Sequence, residues 1–192
     1  MSPGRFDFLE IGQRRQPLAR AEQGAAAPSV GRVRFRVKEI IGGHGHELGE
    51  FCCPGGLAVD RQGNLYVADT WNYRVQVLDP AGNFLRAFGA QGDRPGEFIR
   101  PKGIAVDSEG HVYVADAEFN NFQVLSPEGQ PLLAVGELGA APGQFMLIAG
   151  LHIDAKDRIY TTEMYAGRIQ VFQYIAQPPS VEGKGVVKAR NH

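Results

Sequence analysis

The sequence predicts an all-β protein made of about three consecutive units, each with four short antiparallel strands. Sliding the 192 residues along themselves by 47 positions aligns three copies of one pattern without a gap. Within each copy, β-branched and aromatic residues occur in runs of roughly four to six, a length typical of strands. The runs alternate with turns that use many of the 25 Gly and 12 Pro residues.

The repeat is defined by distinctive side chains at fixed positions. Tyr66 aligns with Tyr113 and Tyr160. Further equivalent sets are 49–51 with 96–98 and 143–145, Asp60 with Asp107 and Asp154, and Gln76 with Gln123 and Gln170. Chance does not produce such a gap-free series. A period between about 40 and 50 residues with four strands per unit is typical of β-propeller blades.

The predicted strands follow the same order in each unit. They cover 56–60, 65–69, 74–78 and 84–88, then 103–107, 112–116, 122–125 and 132–135, and finally 150–154, 159–163 and 168–172. The first turn runs from Asp60 to Gly63, a type I pattern whose last residue takes a positive φ. The third copy has Asp157 in place of that glycine. Asp69 and Arg74 bracket the next turn and are expected to form a hairpin-stabilising ion pair, of about 0.2–1 kcal/mol if exposed.

Residues 54–60, 63–70 and 72–77 closely resemble the NHL repeat of the β-propeller family, and the resemblance extends over roughly 40–175. It implies a propeller, usually of six blades, although this chain holds about three. Unit two departs from the family pattern because Phe119 and Asn121 replace the usual Asn and Arg. Unit three departs from it at Glu163 and Ala166.

The predicted organisation assigns 1–31 to a flexible N-terminal segment and 176–192 to a flexible tail. Blades occupy 46–92, 93–139 and 140–175, and the last blade lacks its outer strand. Residues 32–45 are predicted to supply a closing outer strand, because 35–41 align with the fourth strand of unit one. We therefore expect a homodimer in which two copies exchange these strands and complete six blades. The alternatives are an open fragment of a longer propeller and pairing with blades of a different protein.

The charge distribution and the composition restrict the classes of partner that the protein is expected to bind. Residues 42–175 hold 16 Asp/Glu and 9 Lys/Arg, whereas 1–41 hold 8 Lys/Arg and 4 Asp/Glu. An acidic body does not favour nucleic acid, so RNA binding, known for some NHL domains, ranks low. The chain has neither a long apolar stretch nor an apolar leader core, which predicts a cytoplasmic protein without membrane contact.

Ligand binding is expected at the loops around the channel mouth. The candidates are Trp71, Tyr73, Arg94, Arg100, Phe119, Tyr165 and His152, the last on an innermost strand where it is larger than its alanine equivalents. Weak metal candidates are His44, His46, Cys52 and Cys53, because imidazole and thiolate suit zinc. Their spacing matches no familiar zinc module, and two adjacent cysteines are more simply free thiols.

The functional prediction is a non-catalytic module that binds a protein or a small ligand and requires no cofactor. The sequence has no phosphate loop, no nucleophile elbow and no His-Glu-x-x-His motif. The alternative is a metal-dependent hydrolase or lyase with a divalent ion in the channel, as in some six-bladed relatives. Fold resemblance alone does not decide between these functions.

Overall fold

A computed structural model describes residues 37–174, which form eleven strands in three antiparallel sheets. Blade 1 contains β1 (Pro54–Val59), β2 (Leu65–Asp69), β3 (Arg74–Leu78) and β4 (Phe84–Phe88). Blade 2 contains β5 (Pro101–Val106), β6 (Val112–Asp116), β7 (Asn121–Leu125) and β8 (Pro131–Val135). Blade 3 contains β9 (Ile148–Ile153), β10 (Arg158–Glu163) and β11 (Arg168–Gln173). Within each blade, consecutive strands pair with one another, and the predicted all-β class with blade-like units is confirmed.

The pairing register repeats as faithfully as the sequence does. Tyr66 lies opposite Val77 in blade 1, and Tyr113 lies opposite Val124 in blade 2. In blade 3, the equivalent Tyr160 lies opposite Val171. Because side chains alternate between the faces of a sheet, identical registers place equivalent residues on the same face of every blade.

The first turn of each blade has the predicted backbone conformation. Gly63 and Gly110 have φ values of 87° and 92°, and Asp157 takes a φ of 55° at the equivalent place in blade 3. The Asp157 carboxylate accepts hydrogen bonds from the backbone N–H of Ser108 at 2.9 Å and from its hydroxyl at 2.7 Å. The strained aspartate therefore links blade 3 to blade 2, which a glycine at this position cannot do.

The hydrophobic core consists of two clusters, each between neighbouring blades. The first joins blades 1 and 2, where Val75 and Val77 pack in one cluster with Val112 and Val114. The second joins blades 2 and 3 and contains Tyr113, Phe122, Phe145, Ile148 and Ile159. Blades 1 and 2 therefore each bury one apolar face against the blade that follows them.

Two apolar blade faces have no neighbour in residues 37–174. We call the face of blade 3 that carries Ile169 and Val171 the trailing face, and the face of blade 1 that carries Leu57 and Val59 the leading face. Ile169 and Val171 are 67% and 55% exposed, whereas their blade 2 equivalents, Phe122 and Val124, are 1% and 8% exposed. Leu57 is 61% exposed, but its blade 2 equivalent, Ile104, is 4% exposed.

The predicted closing strand lies partly within the described residues and partly outside them. Residues 37–43 have no regular secondary structure, and the third sheet has three strands. The remainder of the predicted closing strand, the N-terminal segment 1–31 and the tail 176–192 lie outside the described residues. The closing strand therefore stays a prediction. No helix in the described part of the chain has the length and apolar character needed to cross a membrane.

Candidate binding surface at the turn end of the blades

At one end of each blade, the turn between its second and third strands packs against the loop that enters the blade. In blade 1 the carboxylate of Asp69 lies at the centre of this contact and is fully buried. It accepts hydrogen bonds from the Cys52 backbone N–H at 2.7 Å, from Arg74 Nε at 2.9 Å and from Gln76 Nε2 at 3.0 Å. The predicted Asp69–Arg74 ion pair is present, and because the Asp69 side chain is fully buried and the Arg74 side chain is 15% exposed, the range expected for an exposed pair does not apply.

The arginine of this pair also holds the entry loop. Arg74 Nη2 donates to the carbonyl oxygens of Glu47 at 2.8 Å and Glu50 at 3.2 Å. Blade 3 repeats the arrangement: Arg168 Nε donates to Glu163 at 2.7 Å, and Nη2 donates to two carbonyl oxygens of its own entry loop. One guanidinium therefore connects a buried carboxylate with the loop in both blades.

Blade 2 has no such guanidinium, because Asn121 occupies the position of Arg74 and Arg168. The buried carboxylate of Asp116 instead accepts backbone hydrogen bonds from Ile99, Arg100, Glu118 and Phe119. The side-chain oxygen of Asn121 is buried and has no hydrogen-bond partner among residues 37–174. Such groups are rare in native structures and call for an explanation.

A groove of about 410 Å³ opens beside Asn121. Its lining includes Asp93, Arg94, Phe119, Asn121, Pro131 and Leu132. Two of the predicted ligand-binding residues, Arg94 and Phe119, therefore meet in one concave site at the outer part of blade 2. The sequence signal for this site was the departure of Phe119 and Asn121 from the family pattern.

The other predicted aromatic residues lie on turns. Trp71 is 56% exposed and Tyr165 is 77% exposed, each on the turn between the second and third strands of its blade. Tyr73 is half-buried and adopts a left-handed conformation with a φ of 54°. Its equivalents, Asn120 and Gly167, have φ values of 53° and 59°, so this turn requires a left-handed residue in every blade.

Arg100 lies on the loop that enters blade 2, next to the turn, whereas His152 lies on a strand. Arg100 forms an exposed ion pair with Glu118 at 3.5 Å beside the blade 2 turn. His152 is exposed on β9, with its ring centroid 6.2 Å from that of Tyr160, on the trailing face of blade 3. The structure therefore distributes the predicted ligand-binding residues over a groove, three turns and one open blade face.

The weak metal candidates only partly converge. His44 Nε2 lies 4.0 Å from Cys52 Sγ, whereas His46 Nδ1 contacts the side-chain oxygen of Asn72. Cys53 is exposed and has a φ of 51°. Within residues 37–174, no group of three or more His, Cys, Asp or Glu side chains is arranged to hold a metal ion.

The environment of Cys52 also favours the neutral thiol. Partial burial raises the pKa of Cys52, and the neighbouring Cys53 and the Asp69 carboxylate raise it further. The thiolate is the form that binds metals and attacks electrophiles. Cys52 is therefore expected to remain protonated near neutral pH.

Stability is expected to depend on pH through Glu163. Burial alone raises the pKa of this carboxyl, but hydrogen bonds from Arg168, the Met146 backbone N–H and Gln170 outweigh burial and lower it below its ordinary value. A lowered pKa contributes stability that is present above the unfolded-state value of about 4.3 and is lost as the pH falls through the folded-state value. Urea unfolding should therefore show less stability at about pH 3 than at about pH 7.

The variant Glu163→Gln should be less stable at neutral pH and should lose less stability on acidification. The control is Glu109→Gln, because the Glu109 side chain is 78% exposed. The same loss on acidification in the Glu163 variant and in the unmodified chain would contradict this assignment.

Comparison with known proteins identifies the repeat. The NHL repeat family matches residues 51–78 and 98–125, which cover most of blades 1 and 2. The E3 ubiquitin-protein ligase TRIM71 of Xenopus tropicalis is 48% identical over 44 residues, and protein lin-41 of Caenorhabditis elegans is 47% identical over 45 residues. Each match covers 23% of this chain, and it covers 5% and 4% of the respective relative. The chain therefore spans only a small part of these relatives.

Two solved structures show partial similarity at low sequence identity. Hydrazine synthase of Kuenenia stuttgartiensis superposes with a TM-score of 0.48 at 17% identity, covering 66% of this chain and 34% of that one. Virginiamycin B lyase from Staphylococcus aureus superposes with a TM-score of 0.43 at 13% identity, covering 65% and 42%. The resemblance predicted from 54–77 is confirmed by the family match and by the repeated four-stranded sheets. Residues 51–78 and 98–125 therefore match NHL repeats, and the four-stranded antiparallel sheets that contain them are typical of β-propeller blades.

Proposed function

We propose that this protein is a non-catalytic NHL binding module that associates with a second copy of itself, so that two three-bladed chains complete a ring of six blades. The observation that carries the proposal is the equivalence of its two free faces. Each is one half of the junction that already joins blade 1 to blade 2. The channel and turns of the ring then present the binding surface for a protein or small ligand.

The trailing face is equivalent to a face that is buried elsewhere in the chain. Val75 and Val77 in blade 1 are fully buried against blade 2. Their equivalents in blade 3, Ile169 and Val171, remain more than half exposed. Exposed apolar surface of this kind favours association.

The leading face supplies the other half of the junction. In blade 2, Ile104 packs in the cluster with blade 1, and Val106 lies against that cluster. Their blade 1 equivalents, Leu57 and Val59, are 61% and 57% exposed. Blade 3 of one copy can therefore meet blade 1 of another through apolar side chains of the same type and register. In a two-fold dimer this junction forms twice.

A strand exchange would complete the third sheet. Residues 37–41 share their repeat position with β4, which pairs with β3 in blade 1. In blade 3 the corresponding edge of β11 has no partner among residues 37–174. We expect residues 37–41 of one copy to pair with β11 of the other, which also covers an exposed sheet edge.

Light scattering after size exclusion tests the proposed assembly. The expected mass is twice the 20.9 kDa of the chain. Removal of residues 1–41 should shift the equilibrium towards the monomer, because the exchanged strand is lost. A chain that stays monomeric at high micromolar concentration would overturn the proposal.

A charge on the trailing face should separate the copies. Ile169→Asp places a carboxylate where apolar contact is expected, and we expect the dimer dissociation constant to rise by about 100-fold or more, as for a buried unpaired charge. Leu138→Asp is the matched control, because Leu138 is 68% exposed but lies in the loop before β9, outside both free faces. Equal effects of the two variants would argue against this interface.

A further inference from the structure

We propose that the junction between two copies contains a pH-sensitive histidine. His152 allows association while its imidazole is neutral and opposes association once the imidazole is protonated. The inference rests on the self-association proposed above and adds the regulation of that same surface. It concerns the trailing face of blade 3, where His152 is exposed in the single chain.

His152 occupies a position that is small and apolar in the other two blades. Its equivalents are Ala58 in blade 1 and Ala105 in blade 2. Ala58 packs against the cluster that joins blades 1 and 2, and Ala105 is only 5% exposed. Because this position lies within both junctions inside the chain, a junction formed by the trailing face would cover His152.

The glycine two residues before this position shows how closely neighbouring blades approach. A Cβ on Gly56 would overlap the Lys102 carbonyl oxygen of blade 2, and a Cβ on Gly103 would lie 2.7–2.9 Å from three backbone atoms of blade 3. Around Gly150, the third equivalent, the nearest atoms all belong to Thr162 of its own blade. Gly150 therefore keeps a notch that admits the main chain of a further blade. His152 lies on the same face two residues later, inside the junction rather than at its rim.

The surface that would cover His152 is apolar. In the junction between blades 1 and 2, Ile104 and Val106 of blade 2 pack at this place. Their equivalents on the leading face of the second copy are Leu57 and Val59, whose side chains offer no hydrogen bond to an imidazole. Burial in such surroundings costs far more free energy for the imidazolium cation than for the neutral imidazole.

No carboxylate within blade 3 is free to compensate the cation. The titratable group that faces His152 from β10 is Tyr160, and its hydroxyl donates to Asp154 Oδ2 at 3.1 Å. That oxygen already forms an ion pair with Arg158 Nη2 at 2.6 Å. On the same face, β11 contributes only apolar side chains and no charge.

The charged groups of the second copy are also engaged elsewhere. Asp60 and Arg61 follow the leading face in the chain. The Asp60 carboxylate accepts hydrogen bonds from N–H groups of its own turn, and Arg61 would repel an imidazolium. Asp69, at the other end of β2, is fully buried and paired with Arg74 at 2.9 Å. Protonation of His152 therefore weakens the junction.

The direction of the pH effect depends on which state can take up a proton. Histidine is the side chain whose ordinary charge change falls between about pH 5 and 8. The separated copies expose the imidazole and can protonate it, whereas the dimer covers it. A two-fold dimer contains two such junctions, so dissociation takes up as many as two protons. Association is therefore favoured above this range and is lost as the pH falls through it.

Sedimentation equilibrium of the full chain at about pH 7.5 and about pH 5.5 tests the inference. We expect the dimer dissociation constant to be about 100-fold higher at the lower pH, as for two imidazoles that take up protons only after separation. Equal dissociation constants at both pH values would overturn the inference and leave the proposed dimer intact. A chain that is monomeric at both pH values would overturn both.

Three variants separate His152 from other titrating groups. His152→Ala restores the residue of the other blades, so it should dimerise and lose most of the pH dependence. His152→Arg keeps a positive charge and should weaken the dimer at both pH values. His111→Asn is the matched control, because His111 lies near the first turn of blade 2, where blade 1 has Asn64, and its pH profile should not change. Full pH dependence in the His152→Ala variant would refute the inference.

Discussion

Replacement of Phe98 by Ala is expected to lower the free energy of unfolding by about 3–5 kcal/mol, the range for large aromatic residues in close-packed cores. The Phe98 side chain is fully buried in the cluster that joins blades 1 and 2. Its ring lies so close to Gly89 that a Cβ at that glycine would overlap it, and Gly89 has a φ of 95°. Truncation would leave a cavity next to Gly89, which has no side chain to fill it.

Chemical denaturation of the Phe98 variant measures the loss, and equivalent positions provide a graded series. Phe145 is also fully buried, between blades 2 and 3, and Phe145→Ala should cost a similar amount. Phe51 occupies the same repeat position in blade 1 but is only partly buried. Phe51→Ala should therefore cost clearly less. Equal losses at all three positions would contradict the view that the junctions between blades supply most of the core energy.

Replacement of Arg74 by Ala is expected to cost about 3 kcal/mol, near the lower end of the range for breaking a buried ion pair. The Arg74 side chain is 15% exposed, and the Asp69 side chain is fully buried. The variant leaves a buried carboxylate without its cation and removes one of the two donors to each of the Glu47 and Glu50 carbonyl oxygens. Both effects add to the loss in stability, because a buried acceptor that loses a donor does not recover that hydrogen bond from water.

A double variant distinguishes the charge effect from lost packing. Asp69→Asn combined with Arg74→Ala should recover part of the loss in urea unfolding, since no unpaired charge remains buried. Arg158→Ala is the control, because its ion pair with Asp154 is 44% and 22% exposed and should contribute no more than about 1 kcal/mol. A loss in the Arg74 variant no larger than in the control would show that burial does not strengthen this pair.

The strands and turns could be predicted because they depend on local patterns. The alternation around Tyr66 and its equivalents determines which face is buried, and the Asp-x-x-Gly turns require a positive φ that Gly63 and Gly110 provide. Contacts between distant segments could not be predicted in this way. The link from Asp157 to Ser108 joins residues 49 positions apart, and no local pattern marks it.

The candidate site was predictable only as a list of residues. Phe119 and Asn121 were marked by their departure from the repeat, but a sequence does not show that a groove opens beside them. The burial of Asp69 and Asp116 was equally hidden, because a turn-forming aspartate is usually solvated. His152 was expected near a channel. Its exposure depends on what covers the trailing face. That face is formed by residues of three strands, so no single stretch of sequence defines it.

The equivalence of the two free faces also has a consequence for how many copies can join. A junction that pairs a trailing face with a leading face is head-to-tail, like the contact between successive subunits of a fibre. Growth stops only when the rotation per copy brings the last face back to the first. The angle between blades, rather than the apolar residues that drive contact, would then decide between a closed ring and an open-ended filament. Small changes in the wedge shape of one blade could therefore turn a discrete assembly into a polymer without altering either surface.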